Sequence, residues 1–314
     1  MNPKRENQST RERNQPELGQ IPHKVWVIIN PAAGQDQPVL KSLNQAFQEA
    51  GVDWEIALTK EKGDGKRLAR LAVQSGAELV MVYGGDGTVM ECASGMSGSQ
   101  IPLAILPGGT ANVMARELGL PLNLTEAIQL AINPQSRVRC VDMGQIDENT
   151  FLLETGIGFE AEMVEGADRE LKDRLGVLAY GLSALQTLAD PPLAQYRLCL
   201  DGTEVTCEGL ACIVANSGNL GVQGVALSPK TDISDGMLDV FLVTKTDLPS
   251  LVSMAISVVS GRQDPPALQH WQVQEVLVEA DPPQTVQMDG EIIGQTPVRI
   301  KVLPEAVRLI VPPG

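Results

Sequence analysis

Two hydrophobic rhythms divide this chain. From Lys24 to about Ile132, short unbroken apolar runs alternate with longer stretches whose apolar residues return every three or four positions. The runs at 25–29, 54–58, 79–83 and 101–106 have strand length, and their continuous hydrophobicity suits strands buried on both faces. The stretches at 36–50 and 65–74 have helical spacing, the second with a basic face and a Ser75-Gly76 stop. A further helix follows the 107–112 loop and runs through Leu118. Such alternation predicts an α/β domain with a mainly parallel sheet wrapped by helices.

Beyond about Arg137 the rhythm shortens. Strand-like runs fall at 137–143, 151–154, 194–200, 203–208, 211–215, 238–243, 271–279 and 298–303, and Asp201-Gly202 marks a hairpin turn. Helical patterns at 160–188 and 248–260 interrupt them. This texture predicts a second, mostly antiparallel domain, a β-sandwich. The limits that follow are a disordered tail at 1–22, an α/β domain at 23–136 and a β-rich domain at 137–304. The end of the chain, 305–314, is open to either domain, with the α/β domain preferred.

Composition narrows the function classes. At 314 residues and 43% hydrophobic, the chain is long enough for two cores. A net charge of −15 argues against general nucleic-acid binding and against adhesion to anionic membranes by bulk charge. The cysteines (Cys92, Cys140, Cys199, Cys207 and Cys212) are odd in number and form no CxxC pair, which suits a reducing cytoplasm and no structural zinc. The first twenty residues lack the apolar core of a signal peptide, and no apolar run reaches membrane-spanning length. His23 and His270 lie in no motif, so a Ser-His-Asp hydrolase is rejected.

The chemistry concentrates in loops that follow strands. Asn30-Pro31-Ala32-Ala33-Gly34, Gly84-Gly85-Asp86-Gly87-Thr88 and Pro107-Gly108-Gly109-Thr110-Ala111-Asn112 each succeed an apolar run. Ligands of parallel sheets sit beyond the C-terminal strand ends, and glycine loops opening helices attract phosphate. Asp86 is the odd member, since a carboxylate repels phosphate unless a metal or a reacting hydroxyl stands between them. The plainer reading is turn chemistry, with Thr88 and Glu91 forming a capping box; for Glu91 alone the cap is favoured. No GxxxxGK[ST] loop is present. The candidate carboxylates are Asp86, Asp235, Asp239, Asp289 and Glu291. On spacing alone, Asp235-Gly236 and Asp289-Gly290-Glu291 read as turns. The cationic runs 60–70 and 169–174 read as solvated helix faces, and the leucine stripe at 175–188 as core or as a mouth for an acyl chain.

Five motifs in register resemble one family, the diacylglycerol kinase-like lipid kinases of bacteria, relatives of sphingosine and ceramide kinases. They are Asn30-Pro31-x-x-Gly34, Gly84-Gly85-Asp86-Gly87-Thr88-x-x-Glu91, Leu106-Pro107-x-Gly109-Thr110-Ala111-Asn112, Ser234-Asp235-Gly236-x-Leu238-Asp239 and Asp289-Gly290-Glu291. The resemblance implies a two-domain fold with the nucleotide in the cleft between the domains. It also implies transfer of the ATP γ-phosphate to the hydroxyl of a membrane-presented lipid, by an enzyme that is cytoplasmic and touches the membrane only peripherally. Carried over by motif, Gly84, Gly85, Asp86, Gly87, Thr88, Val89, Met90, Gly109 and Thr110 hold the nucleotide, with Asn30 and Thr59 nearby. Asp235 binds Mg²⁺ with the carbonyls of Asp232 and Met237. Glu291 is the general base, with Asp86 and Asp289 as the other catalytic carboxylates. Two positions depart from the pattern: Met90 stands where the family usually has Asn, and Glu160 where many members have Asp. An NAD kinase, which shares a Gly-Gly-Asp-Gly-Thr loop, and a catalytically silent nucleotide-binding regulator are the alternatives. The lipid is not identified, and a homodimer is left open.

Overall fold

The structure is a computed structural model, and it describes residues 15–33, 37–158, 193–218, 231–244, 269–288 and 291–313. The chain forms two compact units, Met1–Val141 with Ala306–Gly314, and Asp142–Glu305.

In the first unit, β1 (Lys24–Ile29), β2 (Asp53–Leu58), β3 (Leu79–Gly84) and β4 (Leu103–Pro107) lie in the order β2-β1-β3-β4, all parallel. The end of the chain adds a fifth parallel neighbour, with Leu309 beside Leu103 of β4. β3 and β4 are buried throughout, as their unbroken apolar runs predict, while Ile56 and Leu58 of the edge strand β2 stay exposed. One side of the sheet is sealed by the helix Val39–Ala50, through Leu43 and Phe47, and by the helix Leu124–Ile132, through Leu124, Ala127, Ile128 and Ala131. Gly51 ends the first of these helices in the left-handed conformation, and Asn123 caps the second by accepting the Glu126 amide. Pro16–Gly19 is not part of a disordered tail: Leu18 and Gly19 donate to the carbonyls of Ser136 and Pro134, and Val138 donates to Pro16.

Two more helices of this unit, Asp64–Gln74 and Asp86–Met96, pack together through glycine. A Cβ at Gly95 would stand 2.4 Å from the Lys66 carbonyl oxygen, and one at Gly65 would meet Glu91 at 2.8 Å. No side chain fits at either position without separating the helices.

The second unit is the expected sandwich. One sheet joins β8 (Ala194–Leu200), β9 (Thr203–Gly209), β13 (Glu275–Asp281) and the first part of β16 (Val298–Val311), all antiparallel. The other runs β12 (Gln269–Val273), β11 (Leu238–Val243), β10 (Ala211–Ala215), β7 (Glu154–Ile157), β14 (Thr285–Met288) and β15 (Glu291–Gln295), also antiparallel throughout. Tyr196, Leu198, Val276, Val278 and Ile300 of the first sheet meet Ile157, Cys212, Val214, Val240 and Val286 of the second in a single core. Asp201 and Gly202, both at positive φ, make the predicted hairpin between β8 and β9.

Three predicted runs differ from the observed strands. The run at 151–154 is cut between β6 (Asn149–Phe151) and β7, and that at 271–279 between β12 and β13, which lie in different sheets. A hydrophobic run carries no mark of a change of sheet. The run at 298–303 extends instead through Val311, because its two ends pair in different units. The helical patterns at 160–188 and 248–260 lie outside the described residues.

Gly95→Ala tests the helix contact. In an ordinary helix this exchange stabilises by about 0.5–1 kcal/mol. Here overpacking against backbone reverses the sign, and the variant is expected to lose about 1–3 kcal/mol in urea unfolding.

Candidate active site

Four loops emerge at the C-terminal ends of the parallel strands of the first unit, and main-chain hydrogen bonds lace them together. The Thr59 amide donates to Ile29, the Asn30 amide to Tyr83, and the Gly108 amide to Gly84, at 2.9–3.0 Å. The ladder of the sheet thus continues one step past each strand. Asn30 accepts from the Ala32 amide through Oδ1 and donates through Nδ2 to Thr88 Oγ1 at 3.0 Å. That bond fixes the first turn of the Asp86–Met96 helix.

Glycine is required where these loops touch. A Cβ on Gly84 would overlap the Thr88 side chain at 2.6 Å, and one on Gly109 would reach the Gly85 Cα at 2.6 Å. Asn112 folds back over its own loop, accepting the Gly109 amide at 3.0 Å and donating to the Gly109 carbonyl at 2.7 Å. It does so at φ 49°, a left-handed conformation that Asn tolerates better than most residues. The outcome is a cradle of main chain in which the first-turn amides at Asp86, Gly87 and Thr88 have no carbonyl of their own helix to meet. Gly87 and Thr110 are exposed on it, while Val89 turns into the core and Met90 is half-buried. The structure therefore brings together Asn30, Thr59, the 84–90 segment, Gly109 and Thr110. Gly34 lies outside the described residues.

Asp86 has a partner that spacing does not reveal. Its Oδ1 accepts the Met114 amide at 3.3 Å, at the start of the short helix Val113–Glu117. Burial pushes the carboxyl up, and the amides of Met114, Val113 and Asn112 pull it back. Asp86 thus ties one glycine loop to the other.

Glu91 is not half of a capping box. The Asp86–Met96 helix has Gly85 at its N-cap and no side-chain cap bond. Glu91 instead accepts the Gly63 amide through Oε1 at 2.7 Å and the Gly65 amide through Oε2 at 2.9 Å, capping the neighbouring helix Asp64–Gln74. The absence of side chains at Gly65 and Gly95 lets the helices come close enough for this reach. The basic face of the Asp64–Gln74 helix carries Lys66, Arg67 and Arg70 around an open pocket. Arg67 also pairs with Asp64, whose carboxyl is held down to about 2 by that guanidinium and the Lys60 and Glu61 amides.

The second unit holds the remaining candidates. Asp235 Oδ1 accepts the Met237 amide, Asp232 Oδ1 accepts the Ser234 amide, and the Asp232 carbonyl accepts from Asp235. Asp142, which no sequence motif marks, organises this loop. It is almost fully buried, and accepts the Gly236 amide at 2.6 Å and the Glu305 amide at 2.7 Å. The usable signal was a lone carboxylate inside an apolar strand run. Desolvation, with the charges of Asp232, Asp239 and Asp142 beside it, pushes the Asp235 carboxyl up to about 6. Buried Asp239 meets His270 Nε2, and the His270 ring stacks on Phe241 at 4.5 Å, so His270 is a packing residue. Glu291 opens β15 opposite Met288 and is exposed. Asp289 lies outside the described residues, as does Glu160. Among the described residues no three His, Cys, Asp or Glu side chains form a metal cage. Burial raises the thiols of Cys92 and Cys212, the latter to about 12, so neither is a nucleophile at neutral pH.

A parallel unit with glycine loops at its strand ends, followed by an antiparallel sandwich, defines the class. Residues 24–146 match the Diacylglycerol kinase catalytic domain, and residues 155–311 the YegS C-terminal NAD kinase beta sandwich-like domain. A Pseudomonas aeruginosa protein named "Probable lipid kinase YegS-like" is 30% identical over 93% of this chain and 95% of its own length. The "Diacylglycerol kinase" of Bacillus subtilis is 26% identical over 91% of this chain and 95% of its own. A crystal structure of a diacylglycerol kinase from Bacillus anthracis superposes with a TM-score of 0.78 at 30% identity, covering 93% of this chain and 98% of that one. The chain belongs to the bacterial family of YegS-like and diacylglycerol kinase-like lipid kinases.

Glu91→Ala is expected to cost about 1–2 kcal/mol, the range for losing a strong helix cap. Amide exchange locates the effect. Protection should fall at Gly63 and Gly65, whereas a capping-box role would weaken the start of the Asp86–Met96 helix instead.

Proposed function

We propose that this chain transfers the γ-phosphate of ATP to the hydroxyl of a membrane-presented lipid. The observation that carries the reading is the main-chain cradle, in which the 84–88 and 108–112 loops meet at Gly85 and Gly109 and turn backbone rather than side chains toward a ligand. Such a surface suits phosphates, whose affinity for helix N-termini and glycine loops rests on amide donors. The relatives named as lipid kinases support the choice of acceptor.

In this reading Gly84–Met90, Gly109 and Thr110 seat the nucleotide, with Asn30 and Thr59 beside them, and Asp86 keeps the two loops in register. The lipid hydroxyl oxygen attacks the terminal phosphorus, the bond to the bridging oxygen of ADP breaks, and Glu291 takes the hydroxyl proton. The Asp235 loop fits Mg²⁺, because its hard oxygens carry crowded negative charge that a cation relieves. Asp235 would hold the ion with the carbonyls of Asp232 and Met237; when bound it supplies charge neutralisation and a fixed loop. The setting would be the cytoplasmic face of a membrane, touched transiently. Among the described residues no helix is long and apolar enough to cross a membrane.

An NAD kinase-like activity is the second reading, favoured by the NAD kinase beta sandwich-like description of residues 155–311. Labelled ATP offered with a whole lipid extract, and separately with NAD⁺, decides between them. A new phospholipid in the mass spectrum supports the first reading; phosphate on NAD⁺ alone overturns it.

Two variants test the roles. Glu291→Gln is expected to lower kcat at least about 10²-fold with ATP affinity little changed. Retained kcat with weakened ATP binding would show a binding or turn residue instead.

Asp235→Ala is expected to abolish the Mg²⁺-induced rise in Tm of the nucleotide-free protein. The pH dependence follows from the sign of the shift. A carboxyl raised from 3.8 to about 6 makes the folded chain bind the proton more tightly than the unfolded one. Its contribution to stability therefore declines as pH rises through that window. Mg²⁺ should restore it, with a larger Tm shift at pH 7.5 than at pH 5.

A further inference from the structure

The edge strand β2 leaves both main chain and apolar side chains uncovered. The Asp53 amide donates to the His23 carbonyl at 2.9 Å, and the Thr59 amide to that of Ile29 at 3.0 Å. Successive residues of a strand turn their N–H and C=O groups to opposite sides, so Asp53, Glu55 and Ala57 serve β1. Trp54, Ile56 and Leu58 therefore aim theirs outward, where no described strand pairs with β2.

The side chains of the same three residues share one face of the sheet. Trp54 meets Phe47 of the helix Val39–Ala50 edge-on, ring centres 5.2 Å apart, so this is the face that helix covers. Ile56 is 43% exposed and Leu58 51%, and among the described strands only β2 carries two large exposed apolar residues. Leu40, two turns before Phe47 on the same helical stripe, is exposed as well. Edge strands are commonly blunted by proline, lysine or a bulge. Asp53–Leu58 has none of these, and it follows β1 without a break in register.

We propose that β2 is a homodimer interface, at which two copies of the chain pair antiparallel about a twofold axis through Ile56 and join their parallel sheets. The pairing sets Ile56 opposite its own counterpart, and Trp54 of each copy opposite Leu58 of the other. Each outward N–H and C=O then has a partner, and the exposed apolar side chains cover one another, because residues opposed across an antiparallel pair share a face. Charge fixes the axis. On the other face Glu55 meets Ala57 and Asp53 meets Thr59, so no two carboxylates are opposed. One step towards Asp53 would set the two Glu55 side chains against each other. One step the other way takes Trp54 off the apolar row. A strand that suits its own reverse in this way points to a second copy as the occupant, since a twofold interface must be complementary to itself.

The test follows the full chain by sedimentation velocity over a dilution series. The wild type is expected to pass from the mass of one chain to that of two as concentration rises. Ile56→Lys puts two ammonium groups at the axis and should stay a single chain with an unchanged far-ultraviolet spectrum. Ile56→Cys reads the register. At a hydrogen-bonded antiparallel pair the Cα atoms lie about 5.5 Å apart, within disulfide reach. Oxidised glutathione should therefore link Ile56→Cys into a covalent dimer and leave Leu58→Cys and the wild type unlinked. A wild type that stays a single chain at every concentration overturns the proposal, as does a dimeric Ile56→Lys, or a Leu58→Cys that links as readily as Ile56→Cys. Should Ile56→Lys fail to fold, the two cysteine variants decide. Amide exchange tests the other occupant, a segment of the same chain. The Trp54 and Leu58 amides should exchange slowly in the dimer and fast in the single-chain Ile56→Lys variant. Slow exchange in both would mean that the chain covers its own edge, and it overturns the pairing.

Discussion

The contact between Gly85 and Gly109 governs what the first unit can do. Two loops from neighbouring strands meet backbone to backbone, at a distance that a side chain on Gly109 would enlarge. Everything around them keeps that distance. The Gly108 amide extends the β3–β4 ladder, Asn112 braces its own loop, and Asp86 reaches across to the Met114 amide. A phosphate needs several amides converging at once, and amides converge only where backbones can approach. The sheet supplies the approach, because parallel strands deliver successive loops to one edge.

The second unit solves a different electrostatic problem. Asp142, Asp232, Asp235 and Asp239 crowd one end of its sandwich, and the loop that joins them is held by carboxylates accepting backbone amides. Each amide bond offsets part of the desolvation of a buried charge. The offset is incomplete at Asp235, whose carboxyl stays pushed up to about 6 by burial and the neighbouring carboxylates. Charge crowded in this way is what the proposed Mg²⁺ site would draw on.

The architecture was legible in the chain because it rests on periodicity. Unbroken apolar runs mark β1, β3 and β4, alternation marks the sandwich strands, and Asp201-Gly202 marks its hairpin. Local patterns failed where a partner comes from far along the chain. Glu91 looks like the cap of its own helix because Thr88 stands three residues earlier, and its real partners are some 26–28 residues away. Asp142 bonds Glu305 across 163 positions, which no window of sequence can contain. Charge and spacing announce which residues carry chemistry, while packing decides which group each of them faces.

The route of the chain has a consequence for its birth. Residues 142–305 form a unit inserted between two parts of another, and Leu309 supplies the parallel neighbour of β4. During synthesis the strands β1 to β4 therefore emerge before the sandwich, and their sheet lacks the Leu309 strand until the sandwich has been made. At roughly 5–20 residues per second the inserted unit has seconds to form while the earlier unit waits with an uncovered strand edge. Such an edge invites pairing with other chains. The sandwich is thus free to mature as a self-contained body, while the β4 edge of the first unit is covered only after it.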